Sequence, residues 1–154
     1  MFPFKAALNA STLFPFKLDV IQQVKTAAQA GYEGIELWMR DIDTYLENGG
    51  TTQSLKKALD DANVEFINAI AFFTWADADP AKRNEAFLQA EKEMRILASL
   101  GCKLIAAPPF GDVETVSLEE MASYFDQLVL MGREIGVEPI LEFWGKAKKT
   151  FNFA

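Results

Sequence analysis

Four segments of the chain repeat the same order of apolar and polar positions. In each segment, apolar residues at helical spacing are followed by a Gly or Asn, one or two polar residues and a short apolar run. The pivots are Gly31, Asn63, Gly101 and Gly136, spaced by 32, 38 and 35 residues. A Gly or Asn directly after a helix is typical of a left-handed C-terminal cap. The pattern therefore predicts four helix-to-strand units of the size of a βα unit.

Helical spacing and capping residues define four predicted helices. The apolar positions are Leu18, Ile21, Val24 and Ala28 in the first helix, Leu55, Ala58, Leu59 and Ala62 in the second, Phe87, Ala90, Met94 and Leu97 in the third, and Met121, Phe125, Leu128, Val129 and Ile135 in the fourth. Asp79-Pro80 predicts the start of the third helix, and Ser117 with Glu120 predicts a capping box at the fourth. With an opening strand in residues 4–11, the order is β-α-β-α-β-α-β-α-β, which is typical of a parallel sheet covered by helices.

Two architectures are compatible with this order. One is a five-stranded doubly wound sheet of the flavodoxin type, and the other is the first part of a (β/α)₈ barrel, which typically has about 250 residues. A closed five-stranded sheet normally carries a helix after its last strand, whereas only residues 145–154 follow here. We therefore expect an α/β fold of the TIM-barrel type, truncated to about five strands, in a single partial domain covering residues 1–154.

One acidic residue interrupts the last predicted strand, VEPILEFWGK. Glu142 stands among Ile140, Leu141, Phe143 and Trp144, in a run whose apolar character indicates burial on both faces. Burying an unpartnered carboxylate costs several kcal/mol, so such a residue is normally paired, protonated or bound to a metal. Glu142 is therefore the first candidate functional residue.

Further candidates follow the other strands, because ligands bind at the carboxyl ends of parallel strands. The polar and aromatic residues predicted there are Asn9, Ser11, Thr12, Glu36, Trp38, Phe72, Phe73, Trp75, Pro108, Pro109 and Phe110. Carboxylates and an amide beside aromatic rings suit a small sugar or polyol. Structural roles remain open: a salt bridge from Glu36 to Arg40 or to a helix lysine explains Glu36 equally well, and the aromatic residues are ordinarily packing residues.

Composition excludes several classes of function. The chain has 154 residues, no histidine and a net charge of −7, which argues against a nucleic-acid partner and against histidine-based catalysis by this chain. No apolar run approaches the roughly 18 residues of a membrane span, so we expect no membrane partner. The single cysteine, Cys102, cannot form an internal disulfide and fits a cytoplasmic location.

Taken together, the strand motifs resemble the xylose isomerase-like barrel superfamily. They are LNAST, YEGIELW, INAIAFF and ILEFWGK on the predicted first, second, third and fifth strands, in collinear order through essentially the whole chain. Within the superfamily, the chain most resembles the sugar phosphate isomerase/epimerase group, in particular the inosose isomerases.

The resemblance implies a barrel that holds one divalent metal, Mn²⁺, Mg²⁺, Co²⁺ or Zn²⁺, at its carboxyl-end mouth. Glu142 matches the first of four ligands, and in the family the same residue often moves a proton beside a carbonyl through an enediol-like intermediate. Asn9, Glu36 and Trp38 fall where the family lines its substrate pocket, and Phe72 and Lys146 complete the predicted substrate-binding set.

The sequence also departs from the family pattern. The other three ligands belong to a sixth, seventh and eighth strand that these residues do not provide. Lys146 stands where inosose isomerases commonly have a histidine, and Ala10 where an acidic residue often follows the asparagine. We therefore expect either a fragment of a longer enzyme or a natural short form, inactive by itself and with weak or no metal binding.

Three hypotheses for function follow. The leading one is the N-terminal part of a metal-dependent sugar, sugar phosphate or inosose isomerase or epimerase. The second is a non-catalytic half-barrel that forms a homo-oligomer through its open edge strands. The third, an apurinic endonuclease-like phosphodiesterase, requires several histidines and a basic face, and the sequence offers neither.

Overall fold

The computed structural model describes residues 3–142, so the predictions made for Phe143, Trp144 and Lys146 lie outside the described residues. The strands are β1 (Ala7–Asn9), β2 (Gly34–Trp38), β3 (Glu65–Ile70), β4 (Leu104–Ala106) and β5 (Glu138–Ile140), and the α-helices are α1 (Val20–Gln29), α2 (Met39–Glu47), α3 (Thr52–Ala62), α4 (Pro80–Leu100) and α5 (Leu118–Ile135). A 3-10 helix covers Ala10–Phe16. The chain divides into two compact units. The first unit contains residues 3–70 and Ser99–Lys103, and the second unit contains Ala71–Ala98 and residues 104–142.

All four predicted pivots adopt the left-handed backbone conformation. The φ angles are +81° at Gly31, +52° at Asn63, +85° at Gly101 and +90° at Gly136. Only glycine adopts this region without a steric penalty from Cβ, and asparagine tolerates it better than other residues. The predicted helix-to-strand connections are therefore confirmed.

The predicted helix starts are confirmed as well. α4 begins at Pro80, and the carboxylate of Asp79 accepts a hydrogen bond of 2.8 Å from the N–H of Ala81. At α5, the N–H of Glu120 donates to Ser117 Oγ at 3.2 Å, and the N–H of Ser117 donates to Glu120 Oε2 at 2.8 Å. These bonds satisfy N–H groups that the first helical turn leaves without intrahelical acceptors.

Strand order in the first unit decides between the two predicted architectures. β2 pairs in parallel with β1 and, on its other side, with β3. A flavodoxin-type sheet would place β1 between β2 and β3. The doubly wound alternative is therefore wrong, and the order agrees with a barrel in which successive strands are neighbours.

Two elements of the first unit were not predicted. The 3-10 helix Ala10–Phe16 contains Pro15, and Asn9 caps its start by accepting a hydrogen bond from the N–H of Ser11. α2 follows β2 without a loop, and its N-cap, Trp38, makes no side-chain capping bond. The core of this unit is formed by fully buried apolar side chains of α1, β2, α2 and α3: Val20, Val24, Ile35, Leu37, Ile42 and Leu55.

The second unit contains α4 up to Ala98, β4, α5 and β5, with β4 and β5 paired in parallel. Its core is formed by Phe73, Trp75, Met94, Leu97, Ile105, Met121 and Leu128. Phe87 was expected in this core but is only half-buried. Within residues 3–142, none of the helices has the length and apolar content that a membrane crossing requires.

The last strand was expected to be buried on both faces. For the described part of that strand, this prediction is wrong. β5 ends at Ile140, whose residue surface is 40% exposed, and only Pro139 of the strand is buried. Side chains alternate along a strand, so Glu138 and Ile140 share the side that the described residues leave accessible.

Candidate functional site

Three polar side chains form a row across the carboxyl-terminal halves of β1, β2 and β3. Asn9 stands in register with Glu36, and Glu36 stands in register with Asn68. Asn9 Nδ2 donates to Glu36 Oε2 at 2.8 Å, and Asn68 Nδ2 donates to Glu36 Oε1 at 3.3 Å. We call Asn9, Glu36 and Asn68 the polar row. Its central carboxylate is oriented by one amide donor on each oxygen.

A bulge on β3 brings Asn68 opposite Glu36. Ile35 pairs with Phe66, but the next residue of β2, Glu36, pairs with Asn68, so Ile67 is the extra residue of β3. Bulges of this kind redirect side chains and are common beside functional sites. Gly34 provides room for the bulge, because a Cβ at this position would lie 2.9 Å from Ile67 Cγ2 and 3.3 Å from Ala7 Cβ.

Trp38 lies on the same side of β2 as Glu36, two residues further along the strand. Its ring meets the ring of Phe14 edge-on, with 5.2 Å between the centroids. The guanidinium of Arg40 lies over both rings. The alternative salt bridge between Glu36 and Arg40 is wrong, because Arg40 pairs instead with Asp41, at 3.2 Å from Nε to Oδ1.

The second unit contains another aromatic pair, in the segments that follow β3 and β4 along the chain. Phe72 is half-buried and meets Phe110 edge-on, with 5.4 Å between the ring centroids. Phe73 and Trp75 are core residues instead, and Trp75 Nε1 donates a hydrogen bond of 2.8 Å to the carbonyl of Pro108. Phe72 therefore remains the candidate for ligand contact, while Phe73 and Trp75 have the packing role.

Asp77 joins the two loops that contain Phe72 and Phe110 through hydrogen bonds. Its Oδ2 accepts a hydrogen bond from the N–H of Asp112 at 3.0 Å, and its Oδ1 accepts one from the N–H of Asp79 at 2.9 Å. Ala76 and Ala78 add backbone bonds to the carbonyls of Phe110 and Asp112, at 3.2 and 2.8 Å. We call these contacts the loop latch.

Gly111 allows this close approach. Its φ is +119°, and a Cβ there would lie 2.8 Å from Asp77 Cβ and 2.9 Å from the Asp77 backbone. Burial of Asp77 by itself would raise its pKa. The N–H donors of Asp112 and Asp79, helped by the positive charges of Lys82 and Arg83, outweigh burial and lower the pKa below its ordinary value of 3.8. Asp77 is therefore held as a carboxylate at neutral pH.

Glu142 is half-buried and lies two residues beyond the end of β5. It is the last residue of the described range, and Lys146 lies outside that range. Within residues 3–142 no group of three or more His, Cys, Asp or Glu side chains is placed to hold a metal ion. The described residues therefore do not by themselves fit a divalent metal, and Glu142 stays a predicted ligand.

Comparisons with known proteins identify the family. The model of the xylose isomerase-like TIM barrel family matches residues 24–153, so this chain belongs to that family. The predicted resemblance is confirmed, and so is the predicted fold class. Among curated protein sequences, none matches the chain significantly.

Solved structures agree with this fold. The chain is similar to the IolI protein with a bound zinc atom (21% identity, TM-score 0.80, covering 92% of this chain and 52% of that one). It is similar to D-psicose 3-epimerase from Clostridium cellulolyticum H10, crystallised with D-tagatose (14%, 0.71, 90% and 52%). It is also similar to 3-keto-D-glucoside 4-epimerase, YcjR, from E. coli (14%, 0.66, 89% and 54%). The chain thus spans about half the length of these structures.

Sequence reasoning missed Asn68 and Asp77. Asn68 is a polar residue inside the apolar run INAIAFF, and that interruption was the available signal. Asp77 has no such signal, because it sits in a loop and one of its partners, Asp112, is 35 residues away.

Proposed function

We propose that this chain forms the N-terminal part of a metal-dependent isomerase or epimerase that acts on a sugar, a sugar phosphate or an inosose. The reaction would be the transfer of a proton at the carbon next to a carbonyl. Family membership and similarity to two epimerases support the proposal at the level of the reaction class. Whether the chain also forms one partial barrel domain remains a prediction.

The polar row is the single observation that carries the proposal. Glu36 is half-buried, yet its neighbours in register are two amides, Asn9 and Asn68, and not a lysine or an arginine. A carboxylate held by amides at the carboxyl ends of parallel strands is a suitable acceptor for substrate hydroxyls. Trp38 lies on the same side of β2 and offers an apolar ring to the C–H face of a sugar. We infer that Asn9, Glu36 and Trp38 contact the substrate.

Glu142 has the chemical role in this proposal. As an acid/base it would accept a proton from the carbon next to the substrate carbonyl and return it to the neighbouring carbon or to the other face. We also propose it as one carboxylate ligand of a divalent cation, Mn²⁺, Mg²⁺, Co²⁺ or Zn²⁺, in agreement with the zinc atom bound to IolI. The metal would supply stabilisation of negative charge on the carbonyl oxygen.

The remaining parts of the proposal concern partners and location. Phe72, beside Phe110, would contact the apolar side of the same class of small substrate, and Lys146 is retained as a proposed substrate contact. We expect no nucleic-acid partner for a chain with a net charge of −7. The one cysteine, Cys102, is fully buried and has no second cysteine to pair with, so we propose a cytoplasmic location.

The test is solvent hydrogen exchange. The protein purified from its natural source, and the 154-residue chain beside it, are incubated in D₂O with scyllo-inosose, D-psicose and D-fructose 6-phosphate, each with and without Mn²⁺. NMR then follows deuterium at the carbon next to the carbonyl.

The proposal predicts that the natural protein exchanges hydrogen with at least one of these probes, that the exchange depends on metal, and that a chelator removes it. It predicts none by the 154-residue chain if that chain is only part of the enzyme, because one carboxylate is too few ligands. Absence of exchange from the natural protein with every probe contradicts the proposal.

A non-catalytic, self-associating half-barrel is the second candidate, and one observation favours it. Ile140 is a large apolar residue on a strand, and 40% of its surface is exposed. Exposed apolar strands are pairing sites for other chains. Light scattering of the 154-residue chain at increasing concentration would show dimers that Ile140→Lys abolishes, while Leu130→Lys, on the exposed face of α5, would leave them unchanged. A monomer at all concentrations contradicts this candidate.

A further inference from the structure

Arg40 contacts two aromatic rings beside the candidate substrate contacts of the first unit. The centre of its guanidinium lies 4.3 Å from the ring centroid of Phe14 and 4.6 Å from that of Trp38. These distances are within the range of cation–π contact, in which a guanidinium stacks on an aromatic face. The two rings themselves meet edge-on, so the guanidinium lies against a pair of rings that contact each other.

A third contact orients the guanidinium. Arg40 Nε lies 3.2 Å from Asp41 Oδ1, and Asp41 Oδ2 accepts a hydrogen bond of 2.9 Å from Gln23 Nε2. Gln23 is buried and also donates to the carbonyl of Leu18 at 3.1 Å. The carboxylate that orients Arg40 is therefore itself anchored in the core of the first unit.

These contacts use a face of the guanidinium and its Nε–H group. They leave the edge formed by Nη1 and Nη2 available. Among the hydrogen bonds of the described residues, those of the Arg40 side chain involve Nε, and Nη1 and Nη2 donate to no protein acceptor. More than half of the side chain, 58%, is exposed. The free edge therefore offers a preoriented pair of N–H donors to solvent, which is the geometry that binds a phosphate or carboxylate through two parallel hydrogen bonds.

The other arginines of the described residues differ from this arrangement. Arg95 donates through both Nε and Nη2 to Glu91, Arg83 donates to backbone carbonyls, and Arg133 Nη2 lies 3.5 Å from Glu138. Each of these side chains directs an Nη group at an acceptor of the protein. Arg40 contacts its carboxylate partner through Nε, and its guanidinium lies beside a tryptophan that shares a side of β2 with Glu36.

We propose that Arg40 binds an oxyanion of the substrate, a phosphate or a carboxylate, while the polar row binds the hydroxyls. This inference rests on the proposed function and narrows its substrate class from any sugar or polyol to one that bears a negatively charged group. Phe14, Trp38 and Asp41 act as positioning residues, since they hold the guanidinium and leave the oxyanion contact to Nη1 and Nη2.

The test compares three hexoses that differ at one carbon: glucose 6-phosphate, glucuronate and glucose. Each is titrated into the ¹⁵N-labelled 154-residue chain, and NMR follows the Arg40 Nε–H and Trp38 indole N–H signals. We expect at least one charged probe to shift both signals and to bind 10-fold or more tightly than glucose. The probe that binds more tightly identifies the oxyanion as phosphate or carboxylate.

Variants separate the proposed contact from general electrostatic attraction. Arg40→Gln should remove the preference for the charged probe, and Arg40→Lys should restore only part of it, because an ammonium cannot form the paired hydrogen bonds. Arg95→Gln makes the same change of net charge at an exposed residue of α4 and should leave binding unchanged. Thermal melting of each variant checks that the fold is retained.

Three results would overturn the inference: equal binding of charged and neutral hexoses, equal losses in Arg40→Gln and Arg95→Gln, or no shift of either signal with any probe. The outcome is independent of the exchange assay. If charged hexoses bind through Arg40 but the natural protein catalyses no deuterium exchange, the proposed reaction is refuted and the oxyanion site is supported. Exchange on a neutral sugar with a KM that Arg40→Gln does not change would refute the oxyanion site alone.

Discussion

Replacing Asp77 by asparagine should weaken the second unit in a pH-dependent manner. The carboxylate accepts hydrogen bonds from two backbone N–H groups, those of Asp79 and Asp112, at 2.9 and 3.0 Å. An asparagine retains one acceptor oxygen and directs its NH₂ group at the other N–H. One charge-assisted hydrogen bond is lost and a buried donor is left unsatisfied, at a cost of about 1.5–3 kcal/mol. We expect the free energy of unfolding to fall by that amount at pH 7.

The sign of the pH dependence follows from the lowered pKa of Asp77. A carboxyl whose pKa is lower in the folded state than its ordinary value of 3.8 contributes stability that is present above 3.8 and is lost as the pH falls through the folded-state pKa. The difference between the wild type and Asp77→Asn should therefore be constant from pH 7 to about pH 5 and should shrink below pH 3.8. Urea unfolding followed by tryptophan fluorescence, to which Trp75 beside the latch contributes, measures this difference at each pH.

Asp126→Asn provides the control, because Asp126 is exposed on α5 in the same unit and the substitution changes the net charge equally. It should alter stability by less than about 0.5 kcal/mol at pH 7. The role of the latch would be refuted if Asp77→Asn were as stable as the wild type at pH 7, or if the loss of stability were the same at pH 3 as at pH 7.

Two further predictions concern the polar row. Gly34→Ala should destabilise the chain by about 1–3 kcal/mol, because the new Cβ lies 2.9 Å from Ile67 Cγ2. Adding Ile67→Ala should cost less in that variant than in the wild type, and additive urea-unfolding energies would contradict the contact. Asn9→Asp should lower the free energy of unfolding at pH 7 by about 1–3 kcal/mol, because it places a second carboxylate where Asn9 Nδ2 now lies 2.8 Å from Glu36 Oε2. That loss should shrink as the pH falls and one of the two carboxyls takes up a proton, whereas Asn84→Asp, at an exposed position of α4, should show no such trend.

The repeating elements of the fold could be predicted because each one carries a local signal. Gly31, Asn63, Gly101 and Gly136 mark helix ends, since the left-handed conformation restricts the residues that can occupy them. α2 lacks such a signal: it has nine residues, begins directly at the end of β2 and has a tryptophan as its N-cap. A short helix of this kind depends on tertiary packing, which a local pattern does not reveal.

The site could be predicted in part. Asn9 and Glu36 were identified because they are polar residues at the ends of predicted strands. Asn68 was missed because its position opposite Glu36 depends on the bulge at Ile67, and a shift of one residue exchanges the faces of a strand. The latch at Asp77 was missed because it joins two loops that are far apart in sequence. For Glu142, the apolar neighbours suggested a strand buried on both faces, whereas β5 ends two residues earlier.

The central claim is that this chain supplies the acid/base of an isomerase or epimerase, and Glu142→Gln tests it most directly. The measurement is the rate of deuterium incorporation next to the substrate carbonyl, made on the natural protein with saturating Mn²⁺. Glu138→Gln, four residues earlier at the exposed start of β5, is the matched control. The account predicts a loss of about 10²–10⁴-fold in Glu142→Gln and a rate within twofold of the wild type in Glu138→Gln. An undiminished rate in Glu142→Gln, or equal losses in both variants, would contradict it.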